Sequence, residues 1–526
     1  MPDARPDAAP RDLVLYDTAR RAPHALEPSV GEDGRPLLRF YSCGPTVYSY
    51  AHIGNFRTFL VADLVVRTAE ALGWDVRYVS NVTDVGHLTG DDLADAQGDD
   101  KMARALEKEG TRFANIYDLA RYYTGAFLDD WQRLNLREPA VRPRATEHLR
   151  EQQLDVQALI EKGVAYETAS GVYFHVPAFP AYGQLSGNTQ ADELTETERE
   201  VVRDPEKRDP RDFALWKRDE GHLMQWHSPF DNEGTPWGFP GWHIECSAMA
   251  QRYLGPTLDL HAGGEDLRFP HHECEIAQAE ALTGEPFAKH WLHVTFLQVE
   301  GQKMSKSAGN FYTVRDLLNA PGDGGRADLN APHGPLALRL ALIAGHYRKP
   351  LNFTQKALRD AGKNARRFEE ADALVAAALD ADRPGPDHLG PRLEQAYDAA
   401  LAAMADDLNT PVAIAAALRG VGAITSMHNQ AIAQDDGGLS GDAARSAQHF
   451  LDRINALLGI VRPDTTDAAA DEDDPFAAEV EAKIAERAAA KTARDYATAD
   501  RLRDEILALG VEIMDSPTGT TWRKKL

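Results

Sequence analysis

Apolar positions along this chain switch between two periods, and the switches mark out its elements. An apolar run over 37–41 passes through Ser42-Cys43-Gly44-Pro45 into a stretch where Phe59, Leu60, Leu64 and Val65 recur at helical spacing, with Gly73 as the stop. A second run over 76–79 ends in Asn81-Val82-Thr83-Asp84. Strand, Gly-containing turn, helix and strand predict a βαβ unit and a parallel sheet. Runs over 258–261 and 292–299 extend the same expected sheet. Ligands of such sheets bind beyond the carboxyl ends of the strands. Cys43, Thr83, His261 and the loop after Val299 all fall at such ends.

Between 102 and 239 the sheet pattern is interrupted by helical stretches, such as 142–163, and by an expected hairpin over 166–176. This reads as an insertion between two halves of a nucleotide-binding fold. From about 354 to 461 the chain is Ala- and Leu-rich at helical period, broken at 381–390 and 434–442, and predicts a helical bundle. An acidic linker over 463–475 precedes a compact tail. In the tail Ala499, Leu502, Ile506 and Leu509 share a helix face that ends at Gly510, and short strands at 511–514 and 520–523 flank a turn. The expected segments are an N-terminal extension over 1–35, read as poorly ordered from its Pro, Asp and Gly, then 36–101 and 240–310 as the two halves of the nucleotide fold around 102–239. After these come 311–353 as a connecting region, 354–462 as the bundle, 463–475 as the linker and 476–526 as the tail.

The formal net charge of −25 over 526 residues argues against nonspecific binding to DNA or to anionic membranes. An RNA partner stays open, because affinity follows local basic patches. One basic run holds Arg339, Arg348, Lys349, Lys356, Arg359, Lys363, Arg366 and Arg367; it is either a solvated helix face or an RNA surface. Three cysteines give no disulfide framework and fit a reducing cytoplasm. The N-terminus carries no signal-like apolar stretch, and no apolar run reaches the roughly 20 residues that a membrane span needs.

Two motifs carry the chemistry. His52-Ile53-Gly54-Asn55 opens the first helix, where oriented N–H groups and the helix dipole stabilise phosphoryl charge. His52 and Asn55 add side-chain donors, and Gly54 allows close approach. Taken alone, the motif also fits a helix start with a chance histidine. Lys303-Met304-Ser305-Lys306-Ser307 lies far downstream, after a sheet strand, where two lysines can clamp a leaving pyrophosphate. Around these stand Cys43, Cys246 and His271-His272-Glu273-Cys274-Glu275, with His271 and Glu275 on one face if that run is helical. The set suits zinc; buried, inert cysteines are the other reading.

These residues resemble those of the cysteinyl-tRNA synthetases, a class I aminoacyl-tRNA synthetase family. The likeness runs from about residue 37 onward. It includes Cys43-Gly44-Pro45-Thr46-Val47-Tyr48, His52 to Asn55, Asn81 to Asp84, Gly241-Trp242-His243-Ile244-Glu245-Cys246, Phe269-Pro270-His271-His272-Glu273, Lys303 to Ser307, His346-Tyr347-Arg348 and Gly519 to Arg523. The resemblance implies an α/β fold: a Rossmann-type catalytic domain with a connective insertion, a stem-contact region and helical bundle, and a small C-terminal mixed α/β anticodon-binding domain. It implies ATP-dependent ligation of L-cysteine to its cognate tRNA through a cysteinyl-adenylate, in the cytoplasm. Magnesium would accompany ATP, and one zinc ion held by Cys43, Cys246, His271 and Glu275 would recognise the substrate thiol. His52, Asn55, Lys303 and Lys306 would be catalytic, with ATP bound by His52, Gly54, Asn55 and Lys306. Gly44, Thr83, Trp242, His243 and Asp266 would line the amino-acid pocket.

Departures from the family pattern are Cys274, where asparagine is usual, Phe239, where arginine is frequent, and a longer 320–335 segment. Two other readings remain: a paralogous ligase joining cysteine to an amino sugar, which needs no anticodon module, and a catalytically dead tRNA-binding protein. The tail with Trp522, Arg523, Lys524 and Lys525 favours tRNA over the sugar. The intact motif residues favour an enzyme over the dead protein.

Overall fold

The computed structural model describes residues 12–86, 100–187, 206–219, 221–230, 236–305, 309–319, 325–326, 334–464, 475–492, 495–508, 511–516 and 519–524. Three strands precede the expected nucleotide fold: β1 (Val14–Asp17), β2 (Ala22–Ala25) and β3 (Ser29–Val30). The extension read as poorly ordered is therefore folded from residue 12. Leu13, Leu15 and Leu26 are buried in the main core, and β3 pairs antiparallel with the start of β4 (Pro36–Ser42). Pro and Gly serve there as turn residues between very short strands, a composition that disorder shares.

After β4 the chain enters α1 (Ile53–Ala71), buried on nearly every face, and returns through β5 (Asp75–Ser80), parallel to β4. The insertion follows with α2 (Lys101–Glu109), α3 (Ile116–Arg133) and α4 (Leu149–Glu161), then β6 (Ala165–Thr168), β7 (Gly171–Phe174), β8 (Phe213–Lys217), β9 (Trp226–His227) and β10 (Trp237–Pro240). These five strands form one sheet, order β6-β7-β8-β10-β9, and β6–β7 is the expected hairpin. The N-terminal part of the insertion is not separate from the catalytic core. Phe127 and Trp131 of α3 pack on Phe56 and Phe59 of α1, and Val141 and Arg144 bridge to Val79 and Val82.

The nucleotide fold resumes with α5 (Trp242–Leu254), β11 (Leu260–Gly264), α6 (Glu273–Thr283) and β12 (Trp291–Val294). The parallel strands stand in the order β5-β4-β11-β12. The expected single strand over 292–299 is two: β13 (Leu297–Val299) leaves this sheet to pair with β14 (Gln302–Lys303) and β15 (Leu351–Phe353). The break has a physical cause, since the Thr295 and Phe296 carbonyls accept from the buried Arg57 guanidinium of α1.

The helices α7 (Val314–Leu318) and α8 (Gly334–Ile343) lie between β14 and β15 in sequence, and α9 (Gln355–Ala381), α10 (Gly390–Ala405), α11 (Thr410–Ala433) and α12 (Gly441–Leu458) make the expected bundle. The helix α11 is long and apolar enough to meet a membrane-span criterion, with mean hydropathy 1.3, but half of that window is buried inside the protein. Arg339, counted above in the basic run, lies wholly buried in α8 beside Asp63 of α1. The five cations Lys356, Arg359, Lys363, Arg366 and Arg367 are exposed on α9.

Residues 463–526 form a second compact unit. Its helices α13 (Pro475–Thr492) and α14 (Tyr496–Ala508) precede an antiparallel hairpin of β16 (Val511–Ser516) and β17 (Gly519–Lys524). Ala499, Leu502 and Ile506 are buried on one face of α14, as their spacing predicts. The linker from 465, the hairpin turn at 517–518 and most of 320–335 lie outside the described residues.

Candidate active site and metal centre

The site forms where the parallel strands end. Cys43 directly follows β4 and Cys246 sits on the second turn of α5. His271 closes the short turn before α6, and Glu275 stands in its first turn. One donor atom from each of these four lies within 4.8 Å of the others, and all four residues are buried. A second set, Cys43, His261, His272 and Glu275, meets the same criterion and shares two members.

Glu275 is the pivot. One of its carboxylate oxygens lies 2.8 Å from His271 Nε2 and the other 2.8 Å from His261 Nε2. Burial would raise its pKa, but the imidazoles of His261 and His271 outweigh burial and hold it down at about 2. Burial opposes charge on His271 too, yet Glu275 and the Cys246 sulfur raise its pKa to about 10. The Cys43 thiol holds Cys246 down at about 7, while burial and that same neighbour push Cys43 well up. A bound cation would take the place of the His271 proton and favour the thiolate form of both cysteines.

Outside the quartet, His243 Nδ1 lies 2.9 Å from His271 Nδ1, and His272 Nδ1 lies 2.8 Å from His293 Nε2. His293 Nδ1 in turn lies 2.9 Å from Thr18 Oγ1, so the N-terminal strands brace the site. Burial pushes His272 and His293 down, keeping both neutral; His293 falls to about 3. Cys274 does not join the metal set. Its buried sulfur is 3.6 Å from Tyr182 Oη, in the core beneath the insertion sheet.

A cleft of about 330 Å³ opens above Cys43, lined among others by Gly44, His52, Asn55, Trp242 and Asp266. This is the volume range of small-ligand sites. The Trp242 ring lies 4.4 Å from the His271 ring and so joins cleft to metal set. Gly44 has no room for a side chain: a Cβ there would lie 1.6 Å from the Asn81 carbonyl oxygen. Thr83 is buried behind the wall, with Oγ1 accepting from Asn81 Nδ2 at 3.1 Å. Neither Thr83 nor His243 lines the cleft itself.

His52 is the N-cap of α1. Its Nδ1 accepts the Asn55 N–H at 3.0 Å, and Asn55 Oδ1 accepts the His52 N–H at 3.1 Å. An accepting Nδ1 places the ring proton on Nε2. The two motifs meet here. Ile53 N–H donates to the Tyr312 carbonyl at 2.9 Å, the His52 ring stands edge-on to Phe311 at 5.1 Å, and Met304 lies over Gly54. Asn310 closes the intervening loop by accepting from Ser305 N–H at 2.8 Å. Lys303 is exposed on β14; Lys306 lies outside the described residues.

Residues 32–363 match the model of the class I (C) tRNA synthetase catalytic domain. A cysteine–tRNA ligase of Salinibacter ruber is 57% identical, covering 97% of this chain and 98% of its own length. The chain belongs to the cysteine–tRNA ligase family.

Within that family, a Thermus thermophilus ligase is 40% identical over 97% of this chain and 99% of its own length. Residues 401–462 match the DALR domain, and 473–523 match the cysteinyl-tRNA ligase anticodon-binding domain. The fold is shared with a solved methionyl-tRNA synthetase of Mycobacterium tuberculosis bound to methionyl-adenylate: TM-score 0.53, 14% identity, covering 80% of this chain and 90% of that one. The α/β class I catalytic fold with insertion and helical region is thus the family's own. Sequence reasoning missed His293 and named His272 only as part of the 271–275 run, without its bond to His293; His261 stood at a strand end and signalled its place, though not its bond to Glu275.

Proposed function

We propose that this chain ligates L-cysteine to its cognate tRNA in two steps, at the expense of ATP. The single observation that supports this most is that the buried thiol, imidazole and carboxylate set reaches, through Cys43, the cleft that His52 and Asn55 of the helix cap also line. Two thiols, an imidazole and a carboxylate fit zinc by donor chemistry, so Cys43, Cys246, His271 and Glu275 would hold it. When bound, zinc supplies a soft acceptor that favours a substrate thiolate over a serine hydroxyl, which a pocket's shape alone rejects weakly.

The remaining work falls to the chain. Trp242 and Asp266 position the amino acid, with the Asp266 carboxylate suited to its ammonium group. The N-terminus of α1, with His52 Nε2–H and Asn55, holds the phosphoryl oxygens that gain charge as the substrate carboxylate attacks the α-phosphorus. Gly54 lets the nucleotide approach. Lys303 and Lys306, with magnesium accompanying ATP, neutralise the departing pyrophosphate. A ribose hydroxyl of the terminal nucleotide of tRNA then attacks the adenylate carbonyl and AMP leaves. The reaction takes place in the cytoplasm.

The test is cysteine-dependent exchange of pyrophosphate into ATP, followed by charging of tRNA and, separately, of an amino sugar. Exchange with cysteine but not serine, together with tRNA charging, is expected. Charging of the sugar alone, or no exchange in the presence of zinc, would overturn the reading.

A further inference from the structure

Three residues of the metal quartet proposed above have a polar partner outside it. His272 Nε2 lies 3.4 Å from Cys43 Sγ, His243 Nδ1 lies 2.9 Å from His271 Nδ1, and His261 Nε2 lies 2.8 Å from a Glu275 oxygen. Such outer partners orient metal ligands and set their basicity. The fourth residue, Cys246, meets Cys43 and His271 within the quartet. Outside the quartet it faces the hydroxyl of Tyr41. Tyr41 comes from β4, two residues before Cys43, and alternation along a strand sends both to the same face of the sheet. There it packs with Cys43, Cys246 and Ala250 and with Ile276 of α6, while its neighbour Phe40 belongs to the core around α1. The Tyr41 ring stands edge-on to His261 at 5.3 Å.

The residue is wholly buried, and its hydroxyl meets no partner at full hydrogen-bond geometry among the described residues. Burial first, then the charges of Cys246 and Cys43, raise its pKa well above the ordinary phenol value, so the group is a donor. Tyr41 does not line the cleft, so the substrate does not supply an acceptor. A buried hydroxyl without an acceptor is unfavourable and uncommon. A thiol accepts weakly, whereas metal binding turns it into a thiolate, which accepts strongly. We propose that Tyr41 is a positioning residue of the metal centre, its hydroxyl donating to the Cys246 sulfur once that sulfur is a metal-bound thiolate. The bond draws electron density from the sulfur and leaves the metal a better acceptor for the substrate's own thiolate. The inference rests on the quartet proposed above and adds the group that tunes it.

The experiment loads cobalt(II) into the full chain and into its Tyr41→Phe variant, which keeps the ring and removes the hydroxyl. Losing a donor raises the energy of the thiolate lone pairs, so the thiolate-to-cobalt charge-transfer band should move to longer wavelength. Zinc affinity, measured by competition with a chromophoric chelator at neutral pH, should fall at least about tenfold. Tyr78→Phe is the control, because it removes a buried hydroxyl that bonds Ser42 Oγ at 2.8 Å in the core around α1. That variant should leave band and affinity unchanged. A fluorinated tyrosine in place of Tyr41, a stronger donor, should move the band the opposite way, and serves if the phenylalanine variant is poorly folded. An unmoved band or an unchanged zinc affinity in Tyr41→Phe, whatever its melting temperature, would assign Tyr41 to packing and overturn the inference while leaving the quartet standing. An equal band shift in Tyr78→Phe would overturn it too. Absence of any thiolate charge-transfer band from the unaltered chain loaded with cobalt(II) would instead refute the quartet.

Discussion

Replacing Asp63 by asparagine should loosen the helix that His52 caps. Asp63 is wholly buried and lies between two equally buried guanidiniums. Arg67 Nε donates to both its oxygens at 2.9 and 3.0 Å, Arg339 Nη2 donates to Oδ2, and the Arg137 N–H donates to Oδ1 at 2.7 Å. The guanidiniums reach onward to the carbonyls of Asn135, Asn455 and Leu458, so the cluster clamps α1 to the insertion, α8 and the end of α12. Asparagine keeps the shape and removes the carboxylate charge that faces both arginines. Stranding buried charge in this way costs about 3–5 kcal/mol. Hydrogen exchange of α1 amides reads that cost directly as local opening, which should quicken by roughly two to four decades at one decade per 1.36 kcal/mol. Burial would raise the Asp63 pKa, but Arg67 and Arg339 outweigh it and hold it below 3.8. The stabilisation is therefore complete above the unfolded carboxylate pKa and is lost as pH falls through the lower folded value, whereas the asparagine variant lacks that acid-dependent component. Adding Arg339→Met should recover part of the loss by removing a stranded charge. Exchange in Asp63→Asn at pH 7 within about 1 kcal/mol of the unaltered chain would refute the clamp.

Gly44→Ala should abolish cysteine-dependent exchange, since its Cβ would lie 1.6 Å from the Asn81 carbonyl oxygen and the loop holding Cys43 must move; activity within about tenfold of normal would contradict this. Cys246→Ser should lose zinc by elemental analysis, whereas Cys274→Ala should keep it, because that sulfur faces Tyr182; the reverse result would move the metal set. Lys306→Ala should slow adenylate formation by about two to three decades in single-turnover kinetics, and a normal rate would remove its proposed role.

The sequence read the chemistry more surely than the packing around it. Cys43, Cys246, His271 and Glu275 could be named through the family resemblance, since the residues alone also fitted inert buried cysteines, and the structure brings one donor atom of each within 4.8 Å of the others. The contact of His272 with His293 could not be read, since a histidine's partner depends on strands that meet only in the fold. Arg339 was misread because charge was counted without helix phase. It stands inside Leu336-Ala337-Leu338 and Leu340-Ala341-Leu342, an all-apolar setting that marks a buried, paired arginine. Residues 12–35 were misread because short edge strands joined by Pro and Gly have the composition of disorder. The split of 292–299 was invisible because its cause, Arg57 capturing two carbonyls, is a long-range bond.

The central claim is that a metal held by the buried quartet grips the substrate through its sulfur. Cobalt(II) substituted into the full chain reports this directly, because thiolate ligation adds a charge-transfer absorption that a hydroxyl does not. Titration with cysteine should raise that absorption further, and titration with serine should leave the spectrum unchanged. No spectral response to saturating cysteine, with exchange activity intact, would contradict it.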